Sequence, residues 1–235
     1  MLVHLKMHHE HHLKSSDTIR DIVIGMSDGL TVPFALAAGL SGAGSNSHIV
    51  VTAGIAEIVA GSIAMGLGGF LAGRTEADHY HSELQREYDE VERVPEQEKF
   101  EVKEVFASFG LSPALQDQIA DEMAKDKDKW VDFMMRYELG LEKPEANRAT
   151  QSAITIGISY IVGGIIPLSP YFFINESETA LYYSCAITMV CLFVFGYFKS
   201  KVTGQPVFTG ALKVLIIGAL AASAAFLMAK LINGR

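Results

Sequence analysis

Five stretches of this chain are each long and apolar enough to cross a ~30 Å hydrocarbon layer as a helix of about 20 residues, which restricts every fold open to it. They run approximately over residues 19–40, 49–73, 152–173, 179–198 and 207–232. Inside a bilayer each backbone amide and carbonyl must find a partner within the protein, so only helices or a closed barrel can span. No segment alternates apolar and polar residues with the period of two that barrel strands require. The expected fold class is therefore all-α, a polytopic membrane protein with five transmembrane helices. The first stretch has no cleavable-signal character, because Asp21 and Asp28 interrupt it and it runs far beyond a short apolar region.

Acids inside such segments need a physical reason. A charge at the bilayer centre costs roughly 2.5–3.5 kcal/mol on insertion scales, so an intramembrane carboxylate faces a partner or a pathway. Asp21 and Asp28 are seven residues apart and share a face of the first span, while Glu57 and Met65, eight apart, are nearly aligned on the second. Gly25 and Gly29 form a small-xxx-small pair beside the first acids, and Gly54, Gly61, Gly66, Gly68, Gly69 and Gly73 make the second span suited to close packing. A single acid is readily satisfied by a neighbouring helix. Two acidic stripes with an aligned thioether read instead as stepping stones for a cation, and Asp21, Asp28, Glu57 and Met65 are the candidate transport path. Carboxylates that exchange a metal ion for protons would couple the two fluxes. Five helices enclose a polar path poorly, so a homodimer that brings the first spans together is expected.

Residues 74–148, between the second and third spans, hold 20 acidic and 11 basic residues, a local net of −9 against −8 for the whole chain. That balance excludes nucleic acid as a partner and suits cations. Charge alone is explained more simply by a solvated acidic surface. The domain organisation follows: a tail at 1–18, spans one and two at 19–73, an acidic helical metal-binding domain at 74–148, and spans three to five at 149–235. Lys and Arg near span ends set orientation. The connections at 41–48 and 168–178 carry neither, whereas Lys14, Arg20, Arg74, Lys143, Arg148, Lys199 and Lys201 all fall on the opposite side. The N-terminus and the acidic insert are expected in the cytosol, and the C-terminus, after an odd number of crossings, on the far side. Asn175-Glu176-Ser177 then has the form of a glycosylation acceptor on that far side.

The insert reads as helices. The second span continues through residues 80–94 until Pro95, and a helix follows over 96–109 with Phe100, Val102, Val105, Phe106 and Phe109 expected on one side, stopped by Gly110. Ser112 and Pro113 supply an N-cap and a Pro at N1 for a helix to about residue 125, and 128–141 makes the next, closed by Gly140 and Pro144. Glu87 and Glu90 are three apart, as are Glu98 and Glu101, so each pair shares a helix face. Met134, Met135 and Glu138 lie within one turn of each other. Like charges at this spacing repel mildly, and a bound cation relieves them. Each pair alone is ordinary for an acidic surface helix, and buried Met is ordinary core. Together they suggest a metal site of Glu87, Glu90, Glu98, Glu101, Met134, Met135 and Glu138, whose mixed donors suit first-row divalent ions.

Other motifs are weaker. Asp126-Lys127-Asp128 begins like a calcium loop, but Val131 stands where Gly is needed and Tyr137 where the bidentate Glu should be. Glu76 and His79 have the Glu-x-x-His spacing of a ferritin-like di-iron helix, which needs a second copy that is missing. The leading His4, His8, His9, His11 and His12 are given no role, and Cys185 and Cys191, on different faces of the fourth span, read as packing residues. No nucleophile–base motif or phosphate loop appears, and no prosthetic group is expected.

The run from Asp21-Ile-Val-Ile-Gly-Met-Ser-Asp28 through Gly42, and that from Gly61-Ser-Ile-Ala-Met65 through Arg74-Thr-Glu-Ala-Asp-His-Tyr80, resemble the first- and second-span signatures of the vacuolar iron transporters, of the plant type with a large insert. The resemblance covers nearly the entire chain. It implies a homodimeric Fe²⁺/H⁺ antiporter, not an enzyme, that loads cytosolic iron into the vacuole, with Fe²⁺ as substrate and the C-terminus luminal. It also implies that the seven insert residues gather metal and that Asp28, Glu57 and Met65 line the pore, with Asp21 an addition. Mixed carboxylate–thioether sites accept Zn²⁺, Mn²⁺ or Co²⁺ as well. Two other readings stay open: a membrane-anchored metal buffer or sensor without flux, and a ferritin-like membrane ferroxidase.

Overall fold

The computed structural model describes residues 16–233; the histidine-rich start and the basic residues Lys14 and Arg235 lie outside the described residues. All regular structure among the described residues is helical, with no strand among them. Five helices are long and apolar enough to cross a membrane, as the hydropathy pattern requires. They are α1 (Ser16–Gly42), α2 (Ser47–Arg93), α6 (Arg148–Leu168), α7 (Ser177–Val202) and α8 (Val207–Ile232). Between α2 and α6 lie α3 (Pro95–Ser108), α4 (Pro113–Met123) and α5 (Lys127–Phe133), the last continued by a π-helical turn, Met134–Glu138. The described residues divide into two compact units, 16–70 with 150–233, and 71–149.

In the first unit the helices approach through glycines. A Cβ at Gly25 would lie 2.4 Å from the Ile156 carbonyl oxygen, and one at Gly29 only 2.3 Å from that of Tyr160. On the other helix of that crossing, a Cβ at Gly163 would meet the Leu30 nitrogen at 2.9 Å. The spacing read as small-xxx-small thus serves to seat α1 backbone against α6 backbone. From α2, Gly66 meets the Ala153 carbonyl, while Gly54, Gly61 and Gly69 make room for the side chains of Leu168, Tyr160 and Ile156. Helix α6 is therefore the element against which both acid-bearing helices pack. Pro33 within α1 and Pro167 within α6 each delete an amide, freeing a carbonyl one turn earlier, a defect that membrane helices tolerate when neighbours compensate. The Pro167 carbonyl itself accepts from Ser184 Oγ of α7 at 2.6 Å. Cys185 and Cys191 are both free and half-buried, consistent with packing rather than a disulfide.

Helix α2 has 47 residues, about 70 Å at 1.5 Å per residue, more than twice the hydrocarbon thickness. Its apolar part, 49–73, is by itself long enough to cross, and the other half carries Glu76 to Arg93. In the second unit this half joins α3, α4, α5 and the π turn around a core of Tyr80, Val91, Val102, Ala120, Trp130, Val131, Met134 and Met135. Pro95 ends α2 and starts α3, and Gly110 and Gly140 take φ of +80° and +65°, the left-handed conformation expected where helices stop.

Three local expectations change. Phe100 and Phe109 are exposed, at 54% and 66%, and the inward face of α3 is Glu98 with Val102. Phe100 and Val102 are two residues, about 200°, apart and cannot share a helix side. Ser112 stands at the N-cap of α4 with Pro113 at N1, but its side chain makes no capping bond; its backbone carbonyl accepts from Leu115 and Gln116 instead. The last insert helix is shorter than the 128–141 reading and passes into a π turn, closed where the Leu139 amide bonds the Met134 carbonyl five residues back at 3.1 Å.

Candidate functional site

Glu87 of α2 and Glu98 of α3 occupy core positions. Each lies one helical turn before a buried valine, Val91 and Val102, and each is only 2% exposed. On each of the two helices an acid thus stands in the buried row with a valine. The π turn brings Glu138 alongside, and carboxylate oxygens of Glu87, Glu98 and Glu138 all lie within 4.8 Å of one another. Oε2 of Glu87 and Oε2 of Glu98 are buried without a hydrogen-bond partner. Burying such an oxygen unpaired is costly, and it ends when a proton or a cation arrives.

The electrostatics show how far the cluster extends. Burial, reinforced by the charges of Glu138, Glu90 and Glu101, pushes the Glu87 carboxyl up to about 7. Glu98 also rises to about 7, through burial and then Glu101, Glu87, Glu90 and Glu138. Glu138 is raised too, by burial and by Glu101 and Glu90. All five sequence-predicted glutamates therefore act on one locus, drawn from three elements. Glu90 is partly tied down by Arg86 Nε at 3.3 Å, and Glu101 accepts from Gln97 Nε2 at 3.2 Å. Protonated carboxyls near neutrality are poised to release protons as a divalent ion binds.

Met134 and Met135 are fully buried in the core of this unit, in the chain turn directly before Glu138. Their burial fits structural packing, and their position on the π turn makes them the thioethers nearest in sequence to the acid cluster. Glu76 and His79 belong to no such cluster; His79 is exposed and its ring faces Glu83 at 3.9 Å along the helix.

In the first unit, Asp21 is buried, and Asp28, Glu57 and Met65 are half-buried. Glu57 accepts a short hydrogen bond at Oε1 from the Tyr160 hydroxyl of α6, while its Oε2 is buried with no partner. The Tyr160 backbone packs against Gly29, the neighbour of Asp28, so this tyrosine touches both acid-bearing helices. Sequence reading missed it. The one available signal was its place on the third span, a polar-tipped aromatic amid Gly, Ile and Ser, which does not distinguish it from the interfacial tyrosines common in membrane helices.

Five helices long and apolar enough to span, with carboxylates inside them and a cluster of three glutamates, two of them buried, define a polytopic membrane protein. The VIT family model matches residues 19–230, and the chain belongs to that family. Among its relatives it is 51% identical over 229 residues to "Vacuolar iron transporter 1" of Tulipa gesneriana, covering 97% of this chain and 93% of that protein. The protein of the same name in Arabidopsis thaliana is also 51% identical, over 97% of this chain and 92% of its own length. "Protein CCC1" of Saccharomyces cerevisiae is 40% identical over 92% of this chain and 69% of the yeast protein.

Proposed function

We propose that this protein moves Fe²⁺ from the cytosol into the vacuole across the vacuolar membrane, in exchange for protons, as a secondary transporter rather than an enzyme. The observation that carries the reading is the meeting of Glu87, Glu98 and Glu138 within 4.8 Å, with two buried oxygens unpaired, in a chain about half identical to proteins named vacuolar iron transporters. In this reading the insert lies in the cytosol with the N-terminus and captures the ion, and the C-terminus is luminal. Glu87, Glu90, Glu98, Glu101 and Glu138 supply oxygens, with Met134 and Met135 as the thioethers that bias the site toward softer first-row ions. Fe²⁺ is the cargo favoured by kinship, and Zn²⁺, Mn²⁺ and Co²⁺ fit the same donors.

Within the membrane, Glu57 and Met65 receive the ion and Asp28 passes it onward, with Asp21 completing the acidic stripe. Each carboxylate that gives up a cation is left charged in a medium that penalises charge, and taking a proton removes the penalty. That is the physical basis proposed for antiport. Two copies, with first spans adjacent, would double the acids around the path and shield them from lipid. Cysteine pairs placed on α1 should cross-link in native membrane, and their failure to do so at any position would remove the dimer from the scheme.

The decisive measurement is Fe²⁺ uptake by proteoliposomes with and without an imposed pH gradient. Uptake that follows the gradient supports exchange. Uptake indifferent to it removes the antiport step, and binding by the chain without any uptake leaves a buffer or sensor.

A further inference from the structure

We propose that Tyr160 is a positioning residue of the transport path: its hydroxyl holds one oxygen of Glu57 and thereby aims the other at the passing cation. The proposal rests on reading Glu57 as part of that path.

Two observations carry it. The Tyr160 hydroxyl donates to Glu57 Oε1, and Glu57 Oε2 is buried without any partner. A carboxylate with both oxygens unheld turns freely about its last bond; with one oxygen pinned, the lone pairs of the other point in one direction. The unpaired buried oxygen is then the atom left for an ion, since it gains most from one.

The tyrosine is itself fixed from two sides. Its backbone is pressed against α1 at Gly29, next to Asp28, where a Cβ would sit 2.3 Å from the Tyr160 carbonyl oxygen. Its ring end lies in a notch on α2: a Cβ at Gly61 would be 2.4 Å from the hydroxyl oxygen and 2.5 Å from Cζ. Gly61 is one turn beyond Glu57 on the same helix, so the notch and the carboxylate together define where the hydroxyl sits. With 2% exposure, Tyr160 has no solvent-facing alternative.

The test is initial-rate Fe²⁺ uptake into proteoliposomes as a function of Fe²⁺ concentration, for wild type, Tyr160→Phe, Gly61→Ala, the double variant and Glu57→Gln. Tyr160→Phe removes one oxygen and keeps the ring. It should raise KM about tenfold, the scale of losing a hydrogen bond to a charged group, with a smaller change in maximal rate. Gly61→Ala keeps the hydroxyl but displaces it, so it should raise KM similarly, and the double variant should add little further. A merely structural tyrosine would lower the maximal rate at unchanged KM, or give two effects that add in full. Either result, with Glu57→Gln inactive, overturns the proposal. Wild-type transport by Glu57→Gln would instead overturn the reading of Glu57 beneath it.

Discussion

Glu98→Gln should make the insert more stable at alkaline pH while removing its grip on metal. The buried Glu98 carboxyl keeps its proton up to about pH 7, against 4.5 for an unhindered glutamate. Between those values the folded state binds a proton that the unfolded chain has released. Stability is therefore highest below about pH 4.5, falls as pH rises, and has lost this contribution above about pH 7. At 1.36 kcal/mol per pH unit, a span of about 2.5 units corresponds to about 3 kcal/mol of pH-dependent destabilisation from this one side chain. Glutamine has the same shape and never ionises, so the variant should shed about that much of the pH dependence, Glu87 keeping its own. Trp130 is the chain's one tryptophan and sits in the core of this unit, so its fluorescence reports unfolding of the metal-free, detergent-solubilised full chain. Denaturant midpoints at pH 5 and pH 8 should converge in Glu98→Gln relative to wild type, and the same variant should bind Fe²⁺ or Zn²⁺ at least tenfold more weakly. Equal destabilisation of the variant at both pH values would refute the account, because it would mean Glu98 is not repelled in its ionised form.

Three further outcomes follow from the geometry. Asp28→Ala should abolish vesicle uptake while metal titration of the same purified chain still shows the insert's binding, which separates transport from buffering; retained uptake would remove Asp28 from the path. Gly29→Val should fail to assemble, since even a Cβ there meets the Tyr160 backbone at 2.3 Å and backbone cannot step aside, so a protein that elutes and melts like wild type would contradict the α1–α6 contact. Met135→Leu conserves volume in the core and should cost less than about 1.5 kcal/mol of stability, while shifting competition titrations toward Mn²⁺ and away from Zn²⁺ if the sulfur is a ligand. Unchanged competition would leave Met135 a packing residue.

Much of the site was legible before any coordinates. The Glu87/Glu90 and Glu98/Glu101 spacings put each pair on one helix face, and the acids of the spans stood out because charge in an apolar run is costly. What spacing could not tell is which member of each pair points inward. Glu87 and Glu98 do, and Glu90 and Glu101 sit half-exposed beside them with Arg86 and Gln97. On α3 the apolar reading went astray for the same reason: Phe100 is larger and more hydrophobic than Glu98, yet the glutamate is inside. A propensity-based reading places residues by their own preference for water and cannot see that two buried acids meet a third, exposed one.

By itself the chain determined five crossings, the all-helical class and the helix ends at Pro95, Gly110 and Gly140, because hydrocarbon thickness, backbone satisfaction and glycine's conformational freedom act locally. The tertiary structure alone decided the partners across helices. The π turn that carries Glu138 to Glu87 and Glu98 arises where a helix yields to packing. The bond from Tyr160 to Glu57 joins residues 103 apart in sequence, brought together because Gly29 seats α1 on the Tyr160 backbone and Gly61 leaves room on α2 for its ring. Contacts of that range have no periodic trace in sequence, since they depend on how whole helix surfaces fit.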